Sequence, residues 1–517
     1  MKKLNLFIIA CAVSFMGFAQ LDPNVGVDPT VYAPMGENEM FTLENVWLVS
    51  SMYPLENFGT GGNPTAEPPI PPDPNFIFAG TTRNMALRGG IMYFATRQTG
   101  EVGLIRVDAA TGERLSPISF ASFAGAGLFV GADPGFIFQD LRVDCAGNLV
   151  VSNMMLSQNA RFQVWVLDTA NPANSRKVVD DIVRDIWLEN LGMEWGGGYI
   201  NDVYVPEGTI VADPDFPIPT VRIDLIGIYG NMLEDGIILG ANASGLNVLK
   251  WNVVNGEATW CPFEGFIGIS PTQPGIHQPP IDGVPTPIVN LGAAPVAMPI
   301  SAEHFYLKMV HQPPVFLDME GNVVSSLMHD FPADGGLNMG RMRNPNGIME
   351  FSLRGDIFLV TSYANWGVGN NSTVRLLRFN DESREFEDID VMWEFPGIGL
   401  GNTNGGGAPI GAISVEVDEV AGTATIAIYS NGNGYGVYVL TSRRPPVSVP
   451  GGVDVDALRI FVEGNVVRMN EPAAEITVFS VTGQQVASAV NTNTITIPVS
   501  GVFLVRVDGQ TQRVIIR

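Results

Sequence analysis

The chain has 517 residues, more than one ordinary core holds, so we expect two or more domains or a repeat architecture. Its 53 Asp and Glu residues against 28 Lys and Arg residues give a formal net charge of −25. Such a surface repels nucleic-acid phosphates and anionic membranes, which excludes nucleic acid as a partner. The 58 glycines and 37 prolines favour many short strands joined by turns over long helices.

The first residues predict a secretory signal peptide. Two lysines precede an apolar stretch, residues 4–18, that is too short to span a bilayer, and Gly17 and Ala19 place small residues before the cleavage point. We therefore expect residues 1–19 to be removed and the mature chain to have no transmembrane segment. A lipoprotein-type start at Cys11 is the alternative, with a much shorter apolar region before it.

Two cysteines remain after this cleavage, Cys145 and Cys261. An oxidising compartment would permit a disulfide between them. Because they fall in different repeat units, we expect two buried free thiols, and their pairing stays open.

Two patterns alternate between residues 40 and 445. The first is a hairpin with a tight polar turn, as in "NMALRGGIMYFATR" (84–97) and "DLRVDCAGNLVVSN" (140–153). The second is an apolar strand, an Asp or Asn, a turn and an outer strand, as in "LIRVDAATGERL" (104–115). Together they make a four-stranded antiparallel unit that is too small to bury its own face. Six copies of it predict a radial array of sheets.

One polar residue recurs at the turn of the second pattern. Its side chain can bond the backbone two residues further on, so we interpret it as a structural turn residue. The residues concerned are Asp108, Asp168, Asn252, Asp318 and Asn380.

The predicted fold class is all-β, with a six-bladed β-propeller over residues 20–444 and seven blades as the alternative count. The sixth unit lacks its outer strand, and "MFTLENVWLVSSM" (40–52) offers a spare one. We therefore expect residues 46–50 to pair with residues 436–440 and close the ring, which hides exposed sheet edges. The style of the repeat resembles secreted bacterial propellers of the NHL-like or quinoprotein-like kind.

The composition changes to Pro, Ser and Gly over residues 445–452, which predicts a linker. Beyond it, short strand candidates separated by glycine-containing turns predict a small C-terminal β-sandwich over residues 453–517. A fibronectin-like spacer domain is one interpretation of that sandwich.

The other interpretation comes from "ITVFSVTGQQV" and "IPVSGVFLVRVDGQTQRVIIR". These stretches resemble the C-terminal sorting domain of type IX secretion cargo in Bacteroidota, although the Pro-Asn-Pro entry usual in that family is missing. The residues that match the family pattern are Gly501, Val502, Phe503, Leu504, Val505, Arg506, Val507, Arg513 and Arg517. The resemblance implies that the type IX secretion machinery recognises this domain and exports the protein through the periplasm. The protein is then secreted or held at the outer cell surface.

Motifs for chemistry are sparse in the repeat region. The chain has four histidines, no H-E-x-x-H and no G-x-S-x-G, so we assign no catalytic residue and no metal ligand. Trp366 in "NWGVGNNST" and Trp195 in "EWGGGYIND" are candidates to stack on a sugar or a partner side chain, with blade packing as the alternative. Glu303 and His304 are candidates at an axial channel entrance.

These features favour a secreted or cell-surface binding protein whose ligand is a glycan, a peptide or a protein. One alternative is a propeller enzyme, a lactonase-like hydrolase or a polysaccharide lyase, with its site in the axial channel. Another is a structural component of a surface layer. No cofactor is predicted, and a weakly held calcium ion at Asp213 and Asp215 is the open alternative.

Overall fold

The computed structural model describes twenty-two stretches of the chain. They are residues 40–50, 82–96, 103–133, 136–200, 203–260, 265–270, 277–281, 284–287, 290–292, 294–309, 314–326, 347–365, 371–386, 389–397, 399–400, 411–431, 434–445, 460–463, 466–480, 485–497, 501–507 and 510–516. The chain divides into two compact units, Met1–Arg443 and Arg444–Arg517. The predicted signal peptide and nearly all of the predicted linker lie outside the described residues.

The described strands of the first unit form six antiparallel sheets of four strands or more, besides three small two-stranded ladders. The strands of the six sheets are β2–β5 (Thr82–Arg88, Ile91–Thr96, Leu104–Asp108, Arg114–Ile118), β6–β9 (Asp140–Val143, Leu149–Ser152, Arg161–Leu167, Arg176–Ile182), β14–β17 (Ile223–Gly230, Gly236–Asn242, Asn247–Val254, Glu257–Thr259) with β18 (Phe266–Gly268), β21–β24 (Val296–Pro299, His304–Lys308, Val315–Asp318, Val323–Ser326), β25–β28 (Ile348–Leu353, Asp356–Asn365, Asn371–Phe379, Ile389–Phe395), and β29–β31 (Gly411–Asp418, Thr423–Ser430, Gly434–Ser442) with β1 (Phe41–Ser50). The tandem hairpins predicted from the sequence are confirmed.

Successive sheets pack face to face around a ring. Six hydrophobic clusters each combine side chains of neighbouring sheets, including the last sheet and the first. One cluster holds Phe162 of β8 and Trp251 of β16, with ring centroids 5.1 Å apart. The cluster that joins the last sheet to the first holds Phe94 of β3 and Tyr435 of β31 at 5.3 Å. Because every sheet buries both faces, no sheet is stable alone, and the arrangement is propeller-like.

The strand β1 joins the two ends of this unit. It pairs antiparallel with β31 from Phe41 opposite Ser442 to Ser50 opposite Gly434, and the register shifts at Val46. The amide of Asn45 donates to the carbonyls of Trp47 and Val437 beside that shift, at 3.1 and 3.2 Å. The predicted pairing of the strand near residues 46–50 with the strand near residues 436–440 is confirmed, with residues 436–440 opposite residues 43–48.

Several short elements that the sequence did not predict lie between β9 and β21. They are the helix α1 (Val183–Leu191), the ladder of β10 (Gly192–Glu194) with β13 (Ile210–Ala212), the ladder of β11 (Gly198–Ile200) with β12 (Val203–Val205), and the ladder of β19 (His277–Ile281) with β20 (Val284–Pro287). Two 3-10 helices, Phe120–Ala126 and Pro172–Asn174, complete the elements. Such short elements give little hydrophobic periodicity, which is why the sequence did not predict them.

In the second unit, the described strands form one five-stranded antiparallel ladder network. Its strands are β32 (Ile460–Glu463), β33 (Val466–Ser480), β34 (Gln485–Thr496), β35 (Gly501–Val507) and β36 (Gln510–Ile516). The long strand β33 pairs with β32 near its start, with β35 near its end and with β34 along the other edge. Its register against β34 shifts between Arg468 and Ala473. The small β-sandwich expected from the sequence stays a prediction.

A glycine permits the close approach of two neighbouring sheets, and this gives a first testable prediction. A Cβ atom on Gly227 of β14 would lie 1.9 Å from the carbonyl oxygen of Ala297 and 2.6 Å from Pro299 Cδ in β21. We expect Gly227→Ala to lower the free energy of unfolding by about 1–3 kcal/mol, because the two backbones would have to separate. Urea denaturation measures this.

The matched control is Gly268→Ala in β18, where an added Cβ meets nothing within 4 Å. We expect that variant to stay within about 0.5 kcal/mol of the wild type. Equal stabilities for the two variants would contradict the close packing of β14 on β21.

Candidate functional site

A cavity of about 390 Å³ lies where the six sheets meet. The first strand of every sheet contributes to its wall, so these are the inner strands of the ring. The apolar wall residues, one or more from each inner strand, are Met85, Leu141, Ile228, Met298, Met349 and Ile413. Polar wall residues are fewer, and they include Arg142, Cys145, Glu350, Ser352 and Ser414. The cavity is therefore mainly apolar with a few polar groups, the usual character of a ligand pocket.

Side-chain acceptors on one inner strand bind backbone N–H groups of the next. The N–H of Ile226 donates to Asp140 Oδ2 at 2.7 Å, and the N–H of Ala294 donates to Asp224 Oδ2 at 2.7 Å. The N–H of Leu87 donates to Ser414 Oγ at 2.9 Å. Because neighbouring inner strands do not share a ladder, these contacts satisfy N–H groups that would otherwise be unpaired and buried. These hydrogen bonds give Asp140, Asp224 and Ser414 structural roles.

Asp140 is the most heavily bonded of these acceptors. It is fully buried and accepts hydrogen bonds from the N–H groups of Leu141 and Ile226, from the amide of Asn84, and from Arg142. The guanidinium of Arg142, which lines the cavity, lies 3.1 Å from Asp140 Oδ2. Burial raises the pKa of Asp140, while Arg142 and the backbone donors oppose that rise. The carboxylate thus joins three sheets and holds Arg142 at the wall.

Glu350 is a second wall residue with a saturated carboxylate. The hydroxyl of Tyr306 donates to it at 2.6 Å, and Arg384 Nε and Nη2 donate to it at 2.9 and 3.0 Å. Burial raises the pKa of Tyr306 well above its usual value, and Glu350 raises it further. A carboxylate bonded in this way joins the fourth and fifth sheets and has little capacity left for a ligand.

Cys145 lines the cavity and is an exposed free thiol. The prediction of a buried thiol is wrong for this residue, because it lies in the turn after β6 and not in the strand itself. Cys261 lies outside the described residues. The part of the thiol that is shielded from water, and next the carboxylate of Asp144, raise the pKa of Cys145 above its ordinary 9.0.

That thiol supports a second prediction. We expect Cys145 to react with iodoacetamide more slowly than free cysteine at pH 8, because the thiolate is the reactive form and the raised pKa reduces its fraction. The rate should rise to a plateau only above pH 9.0. Mass spectrometry of a Cys261→Ser chain without residues 1–19 follows this one cysteine, and the same chain in urea is the control. A midpoint at or below 9.0 would contradict the environment described for the thiol.

The structure does not bring the sequence-predicted site residues together. Trp366 lies outside the described residues. Trp195 is half-buried beside the ladder of β10 with β13, where its backbone N–H donates to the Thr209 carbonyl at 2.9 Å. Glu303 is exposed, and His304 stacks on Phe316 with ring centroids 5.2 Å apart. None of the three described residues lines the cavity, although Ile300, at the start of the same turn as Glu303, does.

Two further tryptophans, Trp187 and Trp260, are buried. Trp187 lies on α1, packs into the cluster between the second and third sheets, and donates Nε1–H to the Phe216 carbonyl at 3.0 Å. Trp260 belongs to the same cluster. Both rings therefore contribute to the packing of the second sheet on the third.

The turn that holds Asp213 and Asp215 is closed within itself. Asp213 Oδ1 accepts a hydrogen bond from the N–H of Asp215 at 2.8 Å. Asp213 also forms an isolated antiparallel β-bridge with Phe216. Within the described ranges no group of three or more His, Cys, Asp or Glu side chains is placed to hold a metal ion. In the same ranges no helix is both long and apolar enough to cross a membrane.

No protein-family model matches the sequence. A comparison with curated proteins finds no similar sequence. Solved structures that resemble the chain include a DUF4623 family protein from Bacteroides eggerthii, at 10% identity and a TM-score of 0.46, with 71% of this chain and 72% of that one covered.

Two others come from a fungus and a bacillus. AofleA from Arthrobotrys oligospora has 11% identity and a TM-score of 0.33 over 81% of this chain and 90% of that one. A xylan beta-1,4-xylosidase from Bacillus halodurans has 9% identity and a TM-score of 0.31 over 74% and 90%. These similarities assign no ligand and no activity to this chain.

Proposed function

We propose that the chain is a secreted or cell-surface binding protein, and that its first unit is a six-bladed β-propeller. Its axial cavity takes up an apolar side chain of a peptide or protein ligand. The observation that carries the proposal is the apolar cavity built by all six inner strands. Its volume lies within the range of about 300–1,000 Å³ that is usual for ligand pockets. Transfer of an apolar group from water into such a cavity is favourable.

The wall geometry favours a peptide or protein over the glycan alternative. Sugar rings are usually held by several exposed aromatic faces, and the described wall has one exposed ring, Tyr229, besides the buried Phe351. Methionine is frequent in the wall, at Met85, Met298 and Met349. Methionine side chains adapt to apolar partners of different shape, as on promiscuous peptide-binding surfaces.

Ser352 provides the test of cavity binding. It is exposed at the cavity wall, so a larger side chain there fills the cavity without disturbing the core. We expect wild-type protein to retain peptides with apolar residues on a mixed array of peptides and glycans. Ser352→Trp should lose that binding, and Ser352→Ala should keep it.

Each array outcome has a clear meaning. Retention of glycans only would replace the peptide with a glycan as the ligand class. Equal binding by Ser352→Trp and the wild type would place the ligand outside the cavity and overturn the proposal.

The second part of the proposal concerns export. We infer that the type IX secretion machinery recognises the second unit as a C-terminal sorting domain. Within β35, Phe503, Val505 and Val507 are buried and Arg506 is exposed, as expected for a strand with one core face. Arg513 belongs to β36, which is the last strand in the sheet order, and an end strand offers an edge for strand addition. Arg517 lies outside the described residues.

A truncation tests the export proposal. Cells that make the chain without residues 453–517 should retain it in the periplasm, whereas the full chain should reach the cell surface or the medium. Fractionation followed by immunoblotting distinguishes these locations. Surface delivery of the truncated chain would overturn the sorting role and support a spacer domain.

A further inference from the structure

The side chain of Arg142 lies at the cavity wall between two inner strands. Arg142 and Asp140 are two residues apart on β6, so their side chains lie on the same face of that strand. Asp140 accepts a hydrogen bond from the N–H of Ile226 on β14, whereas Leu141, on the opposite face of β6, packs in a cluster with the first sheet. Ile228, two residues beyond Ile226 on β14, lines the cavity as Arg142 does. The guanidinium therefore lies beside the cavity, between β6 and β14.

Part of the Arg142 guanidinium is not used within the protein. The side chain is only 9% exposed, and Nε and Nη2 each lie 3.1 Å from Asp140 Oδ2. Among the described residues, none accepts a hydrogen bond from Nη1, and that atom keeps some accessible surface. Because Arg142 is a wall residue and nearly all of its side chain is covered, Nη1 faces the cavity. A donor in such a position needs an acceptor, which a ligand can supply.

The carboxylates of the wall, in contrast, have their acceptor positions used by the protein. Asp144 Oδ1 accepts hydrogen bonds from the N–H groups of Ala146 and Asn148 at 3.0 and 2.8 Å. Its Oδ2 accepts from the side-chain amide of Asn148 and from the N–H of Met232, each at 2.9 Å. Both oxygens of Glu350 are bonded as well. A carboxylate has about four acceptor positions, so the polar capacity left at the wall is in donors, and a ligand must bring an acceptor.

The charges at the wall favour an uncharged acceptor. Asp140 balances the charge of Arg142. Arg384 balances the charge of Glu350, with Nε 2.9 Å from Oε2. Asp144 forms no ion pair with any lysine or arginine in the described part of the chain, so the wall keeps a net negative charge. A carboxylate of a ligand would be repelled there and would lose its hydration, whereas an amide carbonyl offers an acceptor oxygen without that cost.

We propose that Nη1 of Arg142 donates a hydrogen bond to the backbone carbonyl oxygen of the ligand residue whose apolar side chain enters the cavity. This inference rests on the proposed function and names the polar group that the ligand must supply. The carbonyl carbon and the side chain are attached to the same Cα atom, so one residue can present both groups to one wall. A terminal carboxylate also offers an acceptor oxygen and is the other source of this chemistry.

Three sets of short biotinylated peptides test the proposal on the full chain. The first set ends in Leu with an amidated terminus, and the second has the same sequences with a free carboxylate. The third set ends in a 3-methylbutylamide, which keeps the leucine side chain and removes its carbonyl group. We expect the wild type to bind the first set about ten-fold or more tighter than the third, the usual value of a hydrogen bond to a charged group, and also tighter than the second. Biolayer interferometry gives the dissociation constants.

Variants then assign the effect to Arg142. Arg142→Lys keeps a positive charge beside Asp140 but loses the second arm of the guanidinium, so it should bind the first and third sets equally. The matched control is Arg222→Lys, because Arg222 is paired with Asp224 at 2.8 Å in the same way but is not a wall residue. That variant should keep the full preference. Thermal denaturation checks that each variant folds, and the comparison of the first and third sets on the wild type needs no variant.

Different failures have different meanings. Equal binding of the first and third sets by the wild type, or an unchanged preference in folded Arg142→Lys, would overturn this inference and leave cavity binding intact. Tighter binding of the second set than of the first would make a carboxylate the acceptor and overturn the uncharged carbonyl. Failure of all three sets to bind would overturn the proposed function together with this inference.

Discussion

Trp47→Ala is expected to lower the free energy of unfolding of the first unit by about 3–5 kcal/mol, the usual cost of deleting a buried aromatic side chain. Trp47 is only 2% exposed on the closing strand β1. Its indole Nε1–H donates to the Ala109 carbonyl at 2.7 Å, and its ring packs edge-on against Tyr435 at 5.6 Å. The Trp47 side chain thus connects β1 to its own sheet through Tyr435 and to the first sheet through Ala109. Urea denaturation followed by tryptophan fluorescence and by circular dichroism measures the loss.

Two further variants isolate the cause. Trp47→Phe keeps most of the apolar contact but loses the hydrogen bond, so its loss should be smaller than that of Trp47→Ala. Val420→Ala, at a site that is 91% exposed, should stay within about 0.5 kcal/mol of the wild type. Closure of the ring by β1 would be contradicted by a Trp47→Ala variant as stable as Val420→Ala.

Asp140→Ala is expected to be the other strongly destabilising substitution, at about 3–5 kcal/mol. Removing one partner of a buried ion pair leaves an uncompensated charge, here the guanidinium of Arg142. The same change also leaves the N–H of Ile226 without its acceptor on the neighbouring sheet. The loss should therefore exceed the cost of the ion pair alone, and thermal and urea denaturation should both report it.

An exposed pair supplies the matched control. Arg184 and Asp185 form a contact of 2.8 Å with side chains about half exposed (48% and 52%), and Asp185→Ala should cost at most about 1 kcal/mol. The double variant Asp140→Ala with Arg142→Ala should lose less than the sum of the two single variants, because the unpaired charge is removed as well. Full additivity would show that the two side chains do not act as a pair.

The turn residues show how accurately a local sequence pattern predicts the position of a turn. Asp108 and Asp318, which the sequence assigned to turns, each accept N–H groups two and three or four residues further on. The same assignment is wrong for Asn252, which lies within the β16 ladder opposite Thr259 while the turn falls at residues 255–256. A turn of this kind needs only neighbours along the chain, but its exact position depends on where the strand pairing ends.

The sequence by itself determined the repeated four-stranded units, the closing strand and the all-β class. These follow from hydrophobic alternation, turn residues and the need of each small sheet for a neighbour, all of which are local or repeated properties. Only the tertiary structure decided the cavity and the Asp140 contacts. These depend on side chains from distant sheets that meet at the ring interior, which leaves no periodic signal in the chain.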